Sequence, residues 1–345
     1  KFTADFNNSK FSAGLSFVMY TIDALVIGLS LIGGGILMKN GQMTQAQLVS
    51  FLLIATNFPR LCYASLVVLV MLWSYRGGLK VVVELNQVAE EKMERQAGLP
   101  VPVAAIRLDR VTFGYGDGDV LKGVSFTIPA GKVTAILGAS GSGKTTILKL
   151  LERFYALESG TISFGDINAE TINLDAWRRN FGYVAQNSPL MMGTFEENIT
   201  YGLDGNYTEE QLVKAAKKAN IYEFIASLPE GFKTRVGELG NSISTGQRQR
   251  LAIARAIIRD PNYLLLDEAT SNLDSINEKE VSKALANAMQ GRTTVVVAHN
   301  LASIQHADQI VVLDNGVVHG RGSHEELYRG NALYRKYYDM QFGAG

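Results

Sequence analysis

The chain has 345 residues, room for about two domains of ordinary size. Its 33 basic and 33 acidic side chains balance to a formal net charge of zero. That balance gives no support to a nucleic-acid partner, because phosphate backbones are held by basic surfaces. The one cysteine, Cys62, has no partner for an internal disulfide and lacks metal-site spacing, so it reads as a small apolar helix residue.

Average composition hides a split. Up to about Trp73 the chain is rich in Leu, Val, Ile, Gly and Met and poor in charge; the remainder reads as an ordinary soluble α/β protein. Two segments, Ala13–Leu37 and Leu48–Trp73, reach the roughly 20 apolar residues that a helix needs to cross a bilayer. The apolar stretch Phe11–Met38 is too long for a signal-peptide core and no cleavage-like pattern follows it. Because the chain starts at Lys1 with only two such segments, it reads as part of a longer protein.

Lys39-Asn40-Gly41-Gln42-Met43-Thr44 is a short polar turn, so the pair is predicted to be a hairpin. Arg76 and Lys80 flank the second exit, and Lys1 and Lys10 precede the first entry. The positive-inside rule then places both ends in the cytoplasm. The alternative is two buried helices of a soluble protein. Asp23 and Arg60 fall near mid-membrane, where ionisable groups need a partner or a cavity; they either pair with each other or face helices outside this chain. Pro59 is a possible kink point to which no function is attached. From Tyr75 to Gln96 a charged amphipathic pattern continues the second helix, and Leu99-Pro100-Val101-Pro102 stops it. The expected division is 1–98 for the membrane part, 99–103 for a linker and 104–345 for the second domain.

Strands and helices then alternate, which predicts a largely parallel sheet covered by helices. Strands are expected at Ala104–Phe113, Val124–Ile128, Val133–Leu137, Thr161–Phe164, Tyr183–Ala185, Tyr263–Leu266, Thr294–Ala298 and Gln309–Leu313, with helices at Thr145–Phe154 and Leu251–Arg259. Thr194–Asn241 reads as a helical insert without a clear strand. Asp314-Asn315-Gly316 is a hairpin turn before Val317–Val318, and Ser323-His324-Glu325-Glu326 a capping box opening the last helix.

Gly138-Ala139-Ser140-Gly141-Ser142-Gly143-Lys144-Thr145 matches the P-loop pattern G-x-x-x-x-G-K-[ST], between a strand and a helix as the chemistry requires. The glycines let backbone N–H groups cradle phosphate oxygens, and the helix N-terminus adds positive potential. Lys144 is placed to contact the β- and γ-phosphates of a nucleotide and Thr145 to ligate Mg2+. Tyr263-Leu264-Leu265-Leu266-Asp267-Glu268 is a buried strand ending in two acids. Asp267 would hold Mg2+ through water, and Glu268 would orient or deprotonate the attacking water. The bland reading, a solvated acidic loop, fits four apolar residues poorly.

Ile243-Ser244-Thr245-Gly246-Gln247 precedes a helix and resembles the signature Leu-Ser-Gly-Gly-Gln of ATP-binding cassette (ABC) proteins, although Ser244 could simply cap that helix. Its place ahead of the Asp267-Glu268 strand strengthens the likeness. From Ala104 to Gly345 the chain resembles an ABC transporter nucleotide-binding domain, and the hairpin resembles the last two membrane helices of an exporter.

The resemblance implies an α/β P-loop NTPase domain with a helical subdomain beside a membrane α-helical hairpin. It also implies an ATPase using ATP and Mg2+. Tyr115, after Phe113-Gly114, would stack on adenine; Gly138 through Lys144, Thr145 and Thr146 would contact the phosphates; Gln186 would ligate Mg2+ and sense the membrane part. Thr234-Arg235-Val236-Gly237-Glu238 resembles the loop that touches coupling helices, Ser271-Asn272-Leu273-Asp274 the D-loop, and His299 the switch histidine that contacts the γ-phosphate. Ser244, Gly246 and Gln247 would close on ATP held by a second subunit. Ile243 and Thr245 depart from the pattern, and Thr245 adds a β-branched side chain at the closure surface.

The implied function is export driven by ATP hydrolysis, by a half-transporter pairing with a second one, most simply a homodimer. It would be an integral membrane protein of the plasma or inner membrane, in contact with lipid, with its ATPase domain in the cytoplasm and an unidentified cargo. The alternatives are a non-transport ABC ATPase and an ATP-gated ABC channel or regulator. The sequons at Asn7, Asn198 and Asn206 fall on the expected cytoplasmic side and are read as chance.

Overall fold

The computed structural model describes residues 2–87, 103–116, 118–203, 205–236, 243–267, 275–297 and 306–342. They form two compact units, Lys1–Glu91 and Lys92–Gly345.

The first unit holds α1 (Phe2–Lys39) and α2 (Gln45–Gln87). Both are longer than the apolar segments within them, and α2 runs on without a break at Pro59 into the charged stretch as far as Gln87. The turn between them is fixed by local chemistry. Gly41 takes a left-handed φ of 73°, and the Gln42 and Gly41 N–H groups donate back to Leu37 and Met38 carbonyls. This is a Schellman stop that satisfies the last carbonyls of α1. Thr44 and Gln47 then form a reciprocal cap that opens α2, with the Thr44 N–H donating to Gln47 Oε1 at 2.9 Å. Just below the turn Gly34 lies against Leu48, where any Cβ would collide with the leucine. Small residues let helices approach in this way.

Tyr20–Lys39 and Gln45–Trp73 are long and apolar enough to cross a membrane. Asp23 and Arg60 each lie about 23 Å from the turn at ~1.5 Å per residue. They meet there, Arg60 Nε standing 3.8 Å from Asp23 Oδ2. Cys62 is exposed.

The second unit runs β1 (Ile106–Gly114), β2 (Asp119–Ile128), β3 (Val133–Leu137), α3 (Lys144–Leu151), β4 (Ser159–Phe164), β5 (Ile167–Asn168), α4 (Leu174–Arg179) and β6 (Phe181–Val184). Then come β7 (Gly193–Thr194), α5 (Phe195–Ile199), α6 (Glu209–Lys218), α7 (Tyr222–Ala226), β8 (Arg235–Val236), α8 (Thr245–Ile257), β9 (Tyr263–Asp267) and α9 (Ser275–Met289). It ends with β10 (Thr293–Val297), β11 (Gln309–Asp314), β12 (Val317–Gly322), α10 (His324–Gly330) and α11 (Ala332–Phe342).

The main sheet has the order β12-β11-β3-β10-β9-β6, parallel except for β12 at one edge. A parallel sheet is buried on both faces, which explains the unbroken apolar runs. Tyr263 and Leu265 of β9 pack into the core under the antiparallel sheet β2-β1-β4-β5, while Leu264 and Leu266 pack against the helices α5 to α9. Ala135, Leu137, Ile310 and Val312 meet Leu327 and Tyr334 of the last two helices.

Three local outcomes differ from expectation. Helix α3 stops at Leu151, because Glu152 caps it and Arg153 turns left-handed at φ 55°. The insert contains a strand pair after all, with Gly193↔Val236 and Thr194↔Arg235 closing its two ends. Two residues per strand are too few to display alternation. β2 begins at Asp119, five residues ahead of the expected Val124, because its first half alternates weakly. The Asp314–Val317 hairpin forms through left-handed Asn315 and Gly316, at φ 49° and 80°.

Candidate functional site

The P-loop leaves the buried end of β3 and enters α3. Gly143 holds φ 102°, and a Cβ there would come within 2.6 Å of Leu121 Cδ2. Gly138 lies against the Leu313 carbonyl, where a Cβ has no room. Both positions therefore require glycine. Within this tight loop Lys144 is only 4% exposed, and its ammonium donates to the Gly138 and Ala139 carbonyls at 2.9 Å each. The Ser142 hydroxyl is buried and has no hydrogen-bond partner among the described residues. A buried cation held by neutral carbonyls, beside an orphaned hydroxyl and the N-terminus of a helix, is an anion site by its chemistry.

Thr145 connects this loop to β9. Its hydroxyl donates to Asp267 Oδ1 at 3.0 Å, although β10 lies between β3 and β9 in the sheet. Asp267 is 6% exposed. Hydroxyl and carboxylate oxygens are the hard donors that Mg2+ prefers. The residues present thus fit a nucleotide phosphate chain with its Mg2+. Asp267 and Val297 are register partners on β9 and β10, so the two strands end at the same edge of the sheet. Glu268, His299 and Ser271–Asp274 themselves lie outside the described residues, as do Gly237 and Glu238.

Tyr115 stands beside the start of α3. Its ring is 52% exposed, packs edge-on against Phe113 and Tyr155 at 5.0 and 5.2 Å, and lies 5.5 Å from Lys149 Nζ. Its hydroxyl is 3.3 Å from Thr146 Oγ1. An exposed aromatic face is thus held next to the phosphate loop. Gln186 follows the end of β6 and is exposed.

Ser244 is the N-cap of α8, in a reciprocal capping box with Gln247. The capping reading and the signature reading therefore share one residue: the cap fixes the Ser244 hydroxyl at the end of a helix, with Gly246 buried behind it. Among the described residues no hydrogen bond joins Ser244, Gly246 or Gln247 to the chain's own P-loop.

Several contributors escaped sequence reasoning. The Tyr183 hydroxyl donates to Asp267 Oδ2 at 3.1 Å; burial, then the Asp267 charge, push that phenol well up. Asn198, read as a stray sequon, is fully buried and exchanges hydrogen bonds with Met191 and Thr194. Arg255 of α8 clamps it, donating to Asn198 O and Oδ1 at 2.8 and 2.7 Å and to Pro189 O at 2.9 Å. Burial pulls the Arg255 guanidinium below its usual range, opposed by Tyr201. Ser188 adds a second link to α8 through Gln249 Oε1 at 2.9 Å. The segment after Gln186 and the helix after Ser244 are thus bolted together. An arginine amid the apolar face of α8 was the signal available in sequence.

Two further polar groups support the frame. The Tyr263 phenol, pushed up to about 12 by burial, bonds both the N–H and the carbonyl of Ala104, at 2.9 and 2.6 Å. Glu152, at the end of α3, is pushed up to about 7 by burial, with Arg178 pulling the other way.

Comparison with known proteins agrees with this geometry. Residues 121–271 match the family described as ABC transporter. The chain is 37% identical over 337 residues to a multidrug resistance ABC transporter ATP-binding and permease protein of Lactococcus lactis subsp. cremoris, covering 96% of this chain and 55% of that one. It is 43% identical over 275 residues to the uncharacterized ABC transporter ATP-binding protein YfiC of Bacillus subtilis, covering 79% and 45%. It is 43% identical over 240 residues to an ATP-dependent lipid A-core flippase of Haemophilus influenzae, covering 69% and 41%. A solved bacterial Atm1-family ABC exporter with ATP bound superposes with a TM-score of 0.71 at 33% identity, covering 97% of this chain and 59% of that one. The chain spans about half the length of the relatives it matches. With a phosphate loop, an Asp267-ending strand and a capped helix at Ser244 on this fold, residues 121–271 form a domain of the ABC transporter family, and the chain around it is similar to ABC transporter proteins.

Proposed function

We propose that this chain is the ATP-hydrolysing part of an ABC exporter subunit, with the α1–α2 hairpin as the last membrane pair of its transport domain. The observation that carries the ATPase reading is the Thr145–Asp267 hydrogen bond beside the buried Lys144. It brings the phosphate loop and the acidic strand end together at the C-terminal edge of a parallel sheet, where such folds bind ligands. When bound, Mg2+ would neutralise charge on the phosphate oxygens. Lys144 would swing from its carbonyls to the β- and γ-phosphates, Thr145 would turn its oxygen to the metal, and Asp267 would orient the metal's water. Tyr115 would stack on the adenine. Gln186 would add a metal ligand, Glu268 would orient the attacking water, and His299 would contact the γ-phosphate.

The signature residues Ser244, Gly246 and Gln247 would serve ATP on a second copy of the subunit. That reading is supported by the lack of a bond to their own P-loop among the described residues. Closure of the two copies completes both sites, so hydrolysis depends on assembly. The exporter reading is supported by two exposed apolar helices of spanning length and by relatives named as a multidrug resistance protein and a lipid A-core flippase. Both hairpin ends and the ATPase domain would lie in the cytoplasm of a plasma or inner membrane. Burial of Asn198 removes it as a glycosylation acceptor, in keeping with that side.

The test is transport into sealed inside-out vesicles. Export predicts ATP-dependent accumulation of substrate that vanishes in Lys144→Ala. Flow down a gradient that needs no hydrolysis would contradict a pump.

A further inference from the structure

The ATPase reading leaves one well-ordered contact of Asp267 without a role. Tyr183 lies on β6, beside Leu265 of β9 in parallel register. Its side chain packs on the same core as Tyr263 and Leu265, so it shares their face of the sheet. Asp267 continues that face by strand alternation. The two groups meet there, the Tyr183 hydroxyl donating to Oδ2 at 3.1 Å while Thr145 donates to Oδ1 at 3.0 Å.

We propose that Tyr183 is a positioning residue for Mg2+ binding: it fixes the plane of the Asp267 carboxylate so that the oxygen shared with Thr145 faces the metal's water. The proposal rests on the ATPase reading above. A carboxylate turns easily about its last bond, which has broad, nearly two-fold preferences. One donor on one oxygen leaves that rotation open. Donors on both oxygens, approaching from different elements, close it. Asp267 is 6% exposed, so the orientation is set by protein groups and not by bulk water. A buried carboxylate oxygen that loses its donor seeks another, and the nearest source is a turn of the whole group away from the metal. Thr145 has to give its oxygen to the metal while still donating its proton to Asp267, so it holds the carboxylate least firmly when holding matters most. Tyr183 is free of that double duty.

The experiment compares the purified transporter with Tyr183→Phe, which keeps the ring and its packing. Mn2+ is the probe, titrated by electron paramagnetic resonance in the presence of ATP. ATP affinity is measured separately in EDTA. The expected result is a roughly three- to tenfold rise in the half-saturating Mn2+ concentration, about the net worth of one hydrogen bond. The Mg2+ concentration for half-maximal ATPase shifts by the same factor, while metal-free ATP affinity stays put and the lost hydrogen bond lowers the unfolding temperature by only a few degrees. In an Asp267→Asn background the Tyr183→Phe change should add nothing to the Mn2+ shift. Unchanged or tighter Mn2+ binding in Tyr183→Phe overturns the proposal, as does a full additional loss in the Asp267→Asn background, which would mark Tyr183 as general packing. A parent protein that binds no Mn2+ with ATP refutes the ATPase reading itself, and Tyr183 then has no metal to position.

Discussion

Glu152→Gln should stabilise the ATPase domain at pH 8 and do nothing at pH 4. Glu152 ends the P-loop helix, and its Oε2 is buried with no hydrogen-bond partner among the described residues. Burial lifts its pKa from the ordinary 4.5 to about 7, against the pull of Arg178. The folded protein therefore favours the protonated acid more than the unfolded chain does. Its contribution is fully present below about pH 4.5 and is lost as pH rises to about 7, above which the cost is constant. At ~1.4 kcal/mol per pH unit the full swing is about 3 kcal/mol. Glutamine has the same shape and no charge, so it removes the swing. Thermal unfolding of the parent and Glu152→Gln, followed from pH 4.5 to 8.5, should show curves that coincide at the acid end. They should separate by roughly 6–12 °C at the alkaline end, at ~2–4 °C per kcal/mol. A separation that does not change with pH would refute the reasoning, because packing and not ionisation would then be responsible.

Asn198→Ala removes the side-chain partner of one Arg255 nitrogen and of the Met191 and Thr194 backbone, and should cost about 3 kcal/mol of domain stability, read from the unfolding midpoint. Arg255→Lys should fall between the two, since one ammonium replaces a fork that bonds Pro189 and Asn198 together. Tyr115→Ala should weaken ATP binding by roughly tenfold, as loss of base stacking costs ~1–3 kcal/mol, whereas Tyr115→Trp should keep most of it; equilibrium titration with a fluorescent ATP analogue checks both.

Much of the domain was legible in sequence because its signals are local. The P-loop is contiguous, and its glycines are demanded by close approaches at Gly138 and a left-handed backbone at Gly143. The β9 strand and its terminal Asp267 form one unbroken apolar run closed by an acid. The caps at Ser323 and Ser244 each act over three residues. The equal depth of Asp23 and Arg60 was legible, since the turn between their helices sets both heights, but the sequence left open whether they pair or face other helices; the structure pairs them. What was hidden depends on partners far apart in the chain. Tyr183 reads as a strand aromatic until folding sets it 84 positions away against Asp267. Asn198 passes for a sequon because the clamp that buries it comes from Arg255, 57 positions on. Glu152 looks like a solvated helix end, and only the arrival of α4 with Arg178 encloses it. The β7–β8 pair escaped because two-residue strands carry no periodicity.

The account stands most directly on the rate of ATP hydrolysis by Glu268→Gln measured beside its binding of ATP. The predicted result is retained ATP binding, hydrolysis slowed by about 100-fold or more as expected for loss of a general base, and a paired, ATP-locked assembly. Hydrolysis at the parental rate would contradict the assignment of the acid that follows Asp267, and with it the proposed division of labour at this site.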